Sequence, residues 1–161
     1  MIAERIRQFR EHDRQPGEAE ARLAARFLSE AALGAFLGQE PRDVLHSANT
    51  ARWLLDRGHA DEHLIQAALL HDIGKGAQRR RDRVAHVVSG ALRVSKVLAA
   101  GDSRFELRRA LARTASHSGT GAERLAAMGM APRVVELVRN HHGRANGDAM
   151  LELLQQADSA T

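Results

Sequence analysis

The 161-residue chain has no cysteine, which excludes disulfide frameworks, thiolate zinc sites and thiol nucleophiles together. It has no tyrosine, and aromatic residues make up only 3% of it, too few for the stacking platforms that hold single-stranded nucleic acid. No stretch approaches 18 consecutive apolar residues. The first residues, with Glu4, Arg5, Arg7 and Arg10 among them, lack the apolar centre of a signal peptide. The expectation is a soluble, cytoplasmic protein that does not enter a membrane. No phosphate-binding P-loop, dinucleotide fingerprint or Gly-x-Ser-x-Gly elbow is present, so nucleotide-fuelled, hydride-transfer and serine-hydrolase chemistry have no footing.

What is there fits a globular domain. The hydrophobic fraction is 43% and the charged fraction 27%, the balance of a folded soluble chain. The length fits one domain that buries its own core. The net charge is +4, carried by 22 arginines and two lysines against the acids. The excess is local: residues 76–116 hold ten basic and three acidic side chains. That stretch can face phosphates or nucleic acid, with a solvated helix face as the plainer reading. Nine histidines stand out, because imidazole and carboxylate are the good transition-metal ligands left once cysteine is gone.

The punctuation is helical. Pro41 opens a segment that Gly58 closes, with proline in the first turn and glycine past the end. Asp61 caps 62–72, where Leu64, Ala67, Ala68 and His71 share one face while Ile65, Leu69 and Asp72 share the next. Further helices are expected over 84–99, 104–116, 120–128 (stopped by Gly129), 132–142 and 148–158. Upstream, Pro16 and Gly17 separate a charged helix over 3–12 from a longer one over 18–37. No segment alternates with period two. The expected fold is all-α, a compact bundle of about seven or eight helices. Residues 1–38 form an N-terminal helical arm or accessory pair, and 39–161 the main domain.

The sharpest local signal is His71-Asp72-Ile73-Gly74-Lys75. A His-Asp pair alone is common by chance, but here an apolar helix delivers it at its C-terminal end and Gly74 lets the chain turn away. Neighbouring side chains on a helix point about 100° apart, so both reach one ion only near the helix end. Asp72 can also bridge two ions through its two oxygens.

His46, the run from His71 to Lys75, and Asp158 together resemble the signature of the HD superfamily of metal-dependent phosphohydrolases. His117-Ser118-Gly119-Thr120-Gly121-Ala122 resembles that superfamily's histidine before a glycine-alanine-rich helix start, and Asn140-His141-His142 its double-histidine helix end. The likeness runs from about 40 to 158. It implies a helical domain with the metal site at its centre, in which His46, His71, Asp72 and Asp158 bind one ion. His117 and His141 would hold a second, with Asp72 bridging. His142 then supports that site or touches substrate, since adjacent histidines do not easily face one ion. Lys75 stabilises the charge that develops on phosphate. The ligand types suit one or two divalent ions of Mn, Fe, Co, Ni or Zn.

The implied reaction is hydrolysis of a phosphate ester or anhydride, on a nucleotide or related small metabolite, by hydroxide formed on the metal. The HD-GYP subfamily is disfavoured, because Gly143-Arg144-Ala145 follows His142 and the chain has no tyrosine. A di-iron oxygenase built on the same ligands is one rival. A non-catalytic metal-containing module that binds nucleic acid or a partner through 76–116 is the other, and it is not favoured. His86 reads as a packing residue beside Val87 and Val88; His12, His59 and His63 read as surface residues. The N-terminal arm is the candidate contact between chains.

Overall fold

The computed structural model describes residues 16–75 and 117–161, and these are entirely helical and irregular, with no strand among the described residues. The elements are α1 (Glu18–Ala25), α2 (Glu30–Leu37), α3 (Pro41–Asp56), α4 (Glu62–Leu70), α5 (117–127), α6 (Pro132–Asn140) and α7 (Ala149–Ala160). This is the all-α bundle expected. The helices placed over 3–12, 84–99 and 104–116, and with them His12 and His86, lie outside the described residues.

Local chemistry sets the helix limits. Pro41 occupies the first turn of α3, and Gly58, at φ +83°, takes the left-handed turn after it. Asp61 caps α4 by accepting from the Leu64 N–H. Asp148 caps α7, accepting from the Met150 and Leu151 N–H groups while Arg133 donates to the same oxygen. Several expected boundaries move: the helix expected over 120–128 runs 117–127, the one expected over 148–158 runs 149–160, and three larger differences have a visible cause. The segment 18–37 is two helices, because Ser29 caps a new one through the Ala32 N–H, and the Gln66 amide donates to the Phe27 carbonyl freed by the break. The segments 62–72 and 132–142 stop at Leu70 and Asn140, with His71 and His141 in the capping position.

Helix α4 is the centre. Leu64, Ile65, Ala67, Ala68, Leu69 and Leu70 are all buried, on every side of it, which is the pattern of a helix enclosed by others rather than one lying on a surface. It packs against α3, α6 and α7. His46 of α3, His141 of α6 and Asp158 of α7 meet at its C-terminal end, where the histidine-aspartate pair emerges. Ala24, Leu28, Ala32, Ala35 and Phe36 belong to the same buried cluster as the residues of α3 and α4.

A buried carboxylate ties the first helix down. Glu20 is fully enclosed; it accepts from the Gly17 N–H at 2.8 Å and from Arg52 of α3 at 2.7 Å. Arg52 also donates to Asn49. Burial raises the Glu20 pKa, but the Gly17 amide and Arg52 outweigh it and hold the group below its ordinary 4.5. A lowered folded value means that the contribution is present above pH 4.5 and is lost as the pH falls through the folded value. Glu20→Gln is therefore expected to cost about 1 kcal/mol at pH 7, a modest figure because Arg52 is partly screened by solvent. The gap between the two proteins should close on acidification. Urea titrations at pH 7 and pH 3 check this, and a gap independent of pH would contradict it.

Candidate metal centre

Five elements contribute. Helix α3 presents His46 beside its buried stripe. The turn after α4 carries His71 and Asp72, the first turn of α5 carries His117, and the end of α6 carries His141 and His142. Helix α7 brings Asp158 back from the far end of the sequence. His71, Asp72, His117 and His141 are buried, and His46 and Asp158 stand at the rim with about a quarter of each side chain exposed.

The donor atoms fall into two groups. In the first, His46 Nε2 lies 2.8 Å from Asp158 Oδ1 and 3.9 Å from Asp72 Oδ2. His71 Nε2 lies 3.3 Å from Asp158 Oδ1 and 3.5 Å from Asp72 Oδ2. Donors about 2.1 Å from a shared ion stand roughly 3.0–3.4 Å apart, so these spacings are close to the edges of a coordination polyhedron. The second group is His117, His141 and His142, whose ligand atoms all lie within 4.8 Å of one another. His117 Nε2 and His142 Nε2 are 3.0 Å apart.

Adjacent histidines reach the same place at the end of α6. His141 keeps right-handed helical dihedrals there (φ −60°, ψ −18°), and its ring and that of His142 sit 3.9 Å apart. The His141 ring is also 5.2 Å from that of His71, which places it between the two groups. Asp72 joins them. Its Oδ2 faces His46 and His71, and its Oδ1 lies 3.9 Å from His117 Nε2.

Unpaired polar atoms test whether a cation fits. Buried His71 Nε2, Asp72 Oδ1 and His141 Nε2 make no hydrogen bond, a costly state for enclosed polar atoms. His71 Nε2 and Asp158 Oδ1 are close but not aligned for one, as expected of two donors aimed at a common point rather than at each other. The opposite ring nitrogens are engaged. His71 Nδ1 pairs with the Ala68 carbonyl at 2.9 Å and His141 Nδ1 with the Val138 carbonyl at 2.6 Å. That fixes the tautomer and leaves Nε2 with a free lone pair, the usual arrangement behind a metal-ligating histidine. The residues fit a divalent transition ion.

Protonation follows from the same packing. Burial and the neighbouring His71 push His141 down to about 3, a neutral imidazole at physiological pH. Burial and His117 also lower His142. Burial alone would lower His71, but Asp72 and Asp158 outweigh it and raise the group. Asp72 and Asp158 are held below the ordinary carboxylate range despite burial, Asp72 by His71 and Lys75, Asp158 by His46 and His71. Lys75 Nζ pairs with Asp72 Oδ2, one turn away.

Some contributors carry no local sequence signal. Gln155 donates to the carbonyls of His141 (3.1 Å) and Gly143 (2.8 Å), steadying the turn that holds both histidines. It sits three residues before Asp158, on the same side of α7, and that spacing is the one hint in the sequence. His59 and His63 belong to neither donor group.

The fold and the centre define an all-helical domain with histidine and aspartate donors gathered at one point. Residues 43–160 match the HD domain family, and the chain belongs to it. No curated protein and no solved structure gives a significant match. Among the described residues, no helix is long and apolar enough to cross a membrane.

Proposed function

We propose that the protein is a metal-dependent phosphohydrolase that cleaves a phosphate ester or anhydride of a nucleotide or related small metabolite. One observation carries the reading: the two oxygens of buried Asp72 face different histidine groups, His46 and His71 on one side and His117 on the other. A carboxylate so placed suits a pair of ions, with His46, His71, Asp72 and Asp158 holding the first. Asp72, His117 and His141 hold the second, and His142 is at hand as a further ligand or a substrate contact. Divalent ions bound there supply the Lewis acidity that activates water and polarises a phosphoryl group.

The chain's own residues do the rest. The two carboxylates offset the ionic charge, and the backbone carbonyls paired with Nδ1 of His71 and His141 keep each Nε2 oriented. Lys75 shares an oxygen of Asp72 and sits partly exposed at the rim, where a fixed cation offsets charge gathering on phosphate. In this reading 39–161 carries the chemistry, while the described part of the preceding segment, 16–38, braces α3.

The test is elemental analysis of protein purified without a histidine tag. It is followed by a screen of nucleotides and phosphomonoesters with added Mn, Co or Ni. Release of phosphate that stops on chelation and returns with metal supports the proposal. Bound iron with O2 uptake and no phosphate release replaces it with oxygenase chemistry. Metal without turnover on any substrate leaves a binding module.

A further inference from the structure

The two donor groups are held at their spacing by backbone rather than by side chains. Gly74, two residues beyond Asp72, lies against the first turn of α5. A Cβ on Gly74 would stand 1.9 Å from the His117 carbonyl oxygen, 2.8 Å from the Gly121 nitrogen and 2.9 Å from the His117 carbonyl carbon. Real Cβ contacts essentially never fall below 3.0 Å, so any side chain at 74 forces movement of about an ångström or more. None of the three atoms belongs to a flexible side chain that can step aside. Gly121 packs from the other direction. Its added Cβ would meet the Gly74 nitrogen and Ile73 Cγ2 at 3.3 Å and Val138 Cγ1 at 3.6 Å, a tight but milder conflict.

Neither partner is loose. Ile73 is buried on one side of the contact, and Ala122 and Leu125 of α5 are fully buried on the other. The contact therefore decides how far His117 stands from Asp72, the two residues whose Nε2 and Oδ1 are 3.9 Å apart. Metal–ligand distances tolerate only about 0.2 Å, so a shift of an ångström takes a donor out of reach.

The geometry points to Gly74 and Gly121 as positioning residues, a glycine spacer that seats His117 against Asp72 and so makes the second ion site, while the first site does not depend on it. This rests on the two-ion reading above. His46, His71 and Asp158 come from α3, the end of α4 and α7, outside the contact between Gly74 and α5, and Asp72 alone is common to both sites.

The experiment is titration of the metal-free full chain with Mn2+. Stoichiometry is read by elemental analysis and calorimetry, and ion–ion coupling by electron paramagnetic resonance. Wild type is expected to take up two ions with a coupled spectrum. Gly74→Ala is expected to take up one, with the spectrum of an isolated ion and first-site affinity within about threefold of wild type. Gly121→Ala is expected to keep both sites but bind the second ion roughly 10–100-fold more weakly, the cost of disturbing the support of a ligand. Gly34→Ala, where a Cβ meets nothing within 4 Å, serves as the control.

If Gly74→Ala does not fold, Gly121→Ala decides alone. Glycine variants that hold two coupled ions at wild-type affinity overturn the spacer and leave the two-ion reading standing. So does loss of both ions in parallel from a folded variant, since that is a general structural defect. A wild-type protein that takes up a single Mn2+ overturns the two-ion reading and the spacer together.

Discussion

Asp72→Ala is expected to empty the centre and abolish turnover. The residue's two oxygens face the two histidine groups, and it is almost wholly buried. Its loss removes two oxygen donors and the partner of Lys75 at once. Disturbing an outer support of a ligand costs about 10–100-fold in metal affinity, and removing a bridging ligand should cost more than that. Metal content should fall to background in both positions, and phosphate release with it. Asp72→Asn, of the same shape but neutral, should fail nearly as badly, since it brings one oxygen and an amide that cannot ligate. Elemental analysis and a phosphate-release assay on both variants check this. Full phosphatase activity from metal-free Asp72→Ala would falsify the metallohydrolase reading outright.

The second large effect concerns stability. Phe36→Ala is expected to destabilise the metal-free protein by about 3–5 kcal/mol, the usual range for removing a buried phenylalanine. Phe36 is fully buried in α2 and shares one apolar cluster with α3 and α4, although the family match begins only at residue 43. The sole tryptophan, Trp53, lies on α3, so its fluorescence follows unfolding of the matched region and not of α2 itself. If the two regions unfold as one, the Trp53 transition in urea moves to markedly lower concentration in the variant. An unchanged Trp53 transition would mean that 16–38 unfolds separately.

Much of the architecture was legible because helix ends have local chemistry. Pro41 with Gly58, Asp61 before α4, and Pro132 before α6 all mark boundaries by rules that involve only a few neighbouring residues. The split of 18–37 is not legible because Ser29 lies between Leu28 and Glu30 in a continuous helical pattern, and a lone serine is tolerated inside a helix as well as at its start. The ends of α4 and α6 fall two residues before the pattern ends for a related reason. His71 and His141 continue the pattern of their segments and keep right-handed helical dihedrals, yet each occupies the capping position.

The donor set was a different matter. Spacing alone says nothing about whether His46 and Asp158 meet; the resemblance to the HD superfamily pointed there, and the structure places their ligand atoms 2.8 Å apart. The Glu20–Arg52 pair and the Gly74–Gly121 contact had no such guide. Each joins residues more than thirty positions apart, and although Gly74 and Gly121 lie in the quoted motifs and Glu20 in a helix start, nothing local says which distant residue each one meets.

His46 and Asp158 are separated by 112 positions, and α3 packs along α7. An ion gripped by both acts as a clasp between the two helices, and the domain cannot open there without first letting go of it. Because such an ion favours the closed chain alone, excess metal deepens the native well by mass action. Resistance to proteases should then rise and fall with free metal concentration, and the helix bearing Asp158 should be among the first to be cut once a chelator is added.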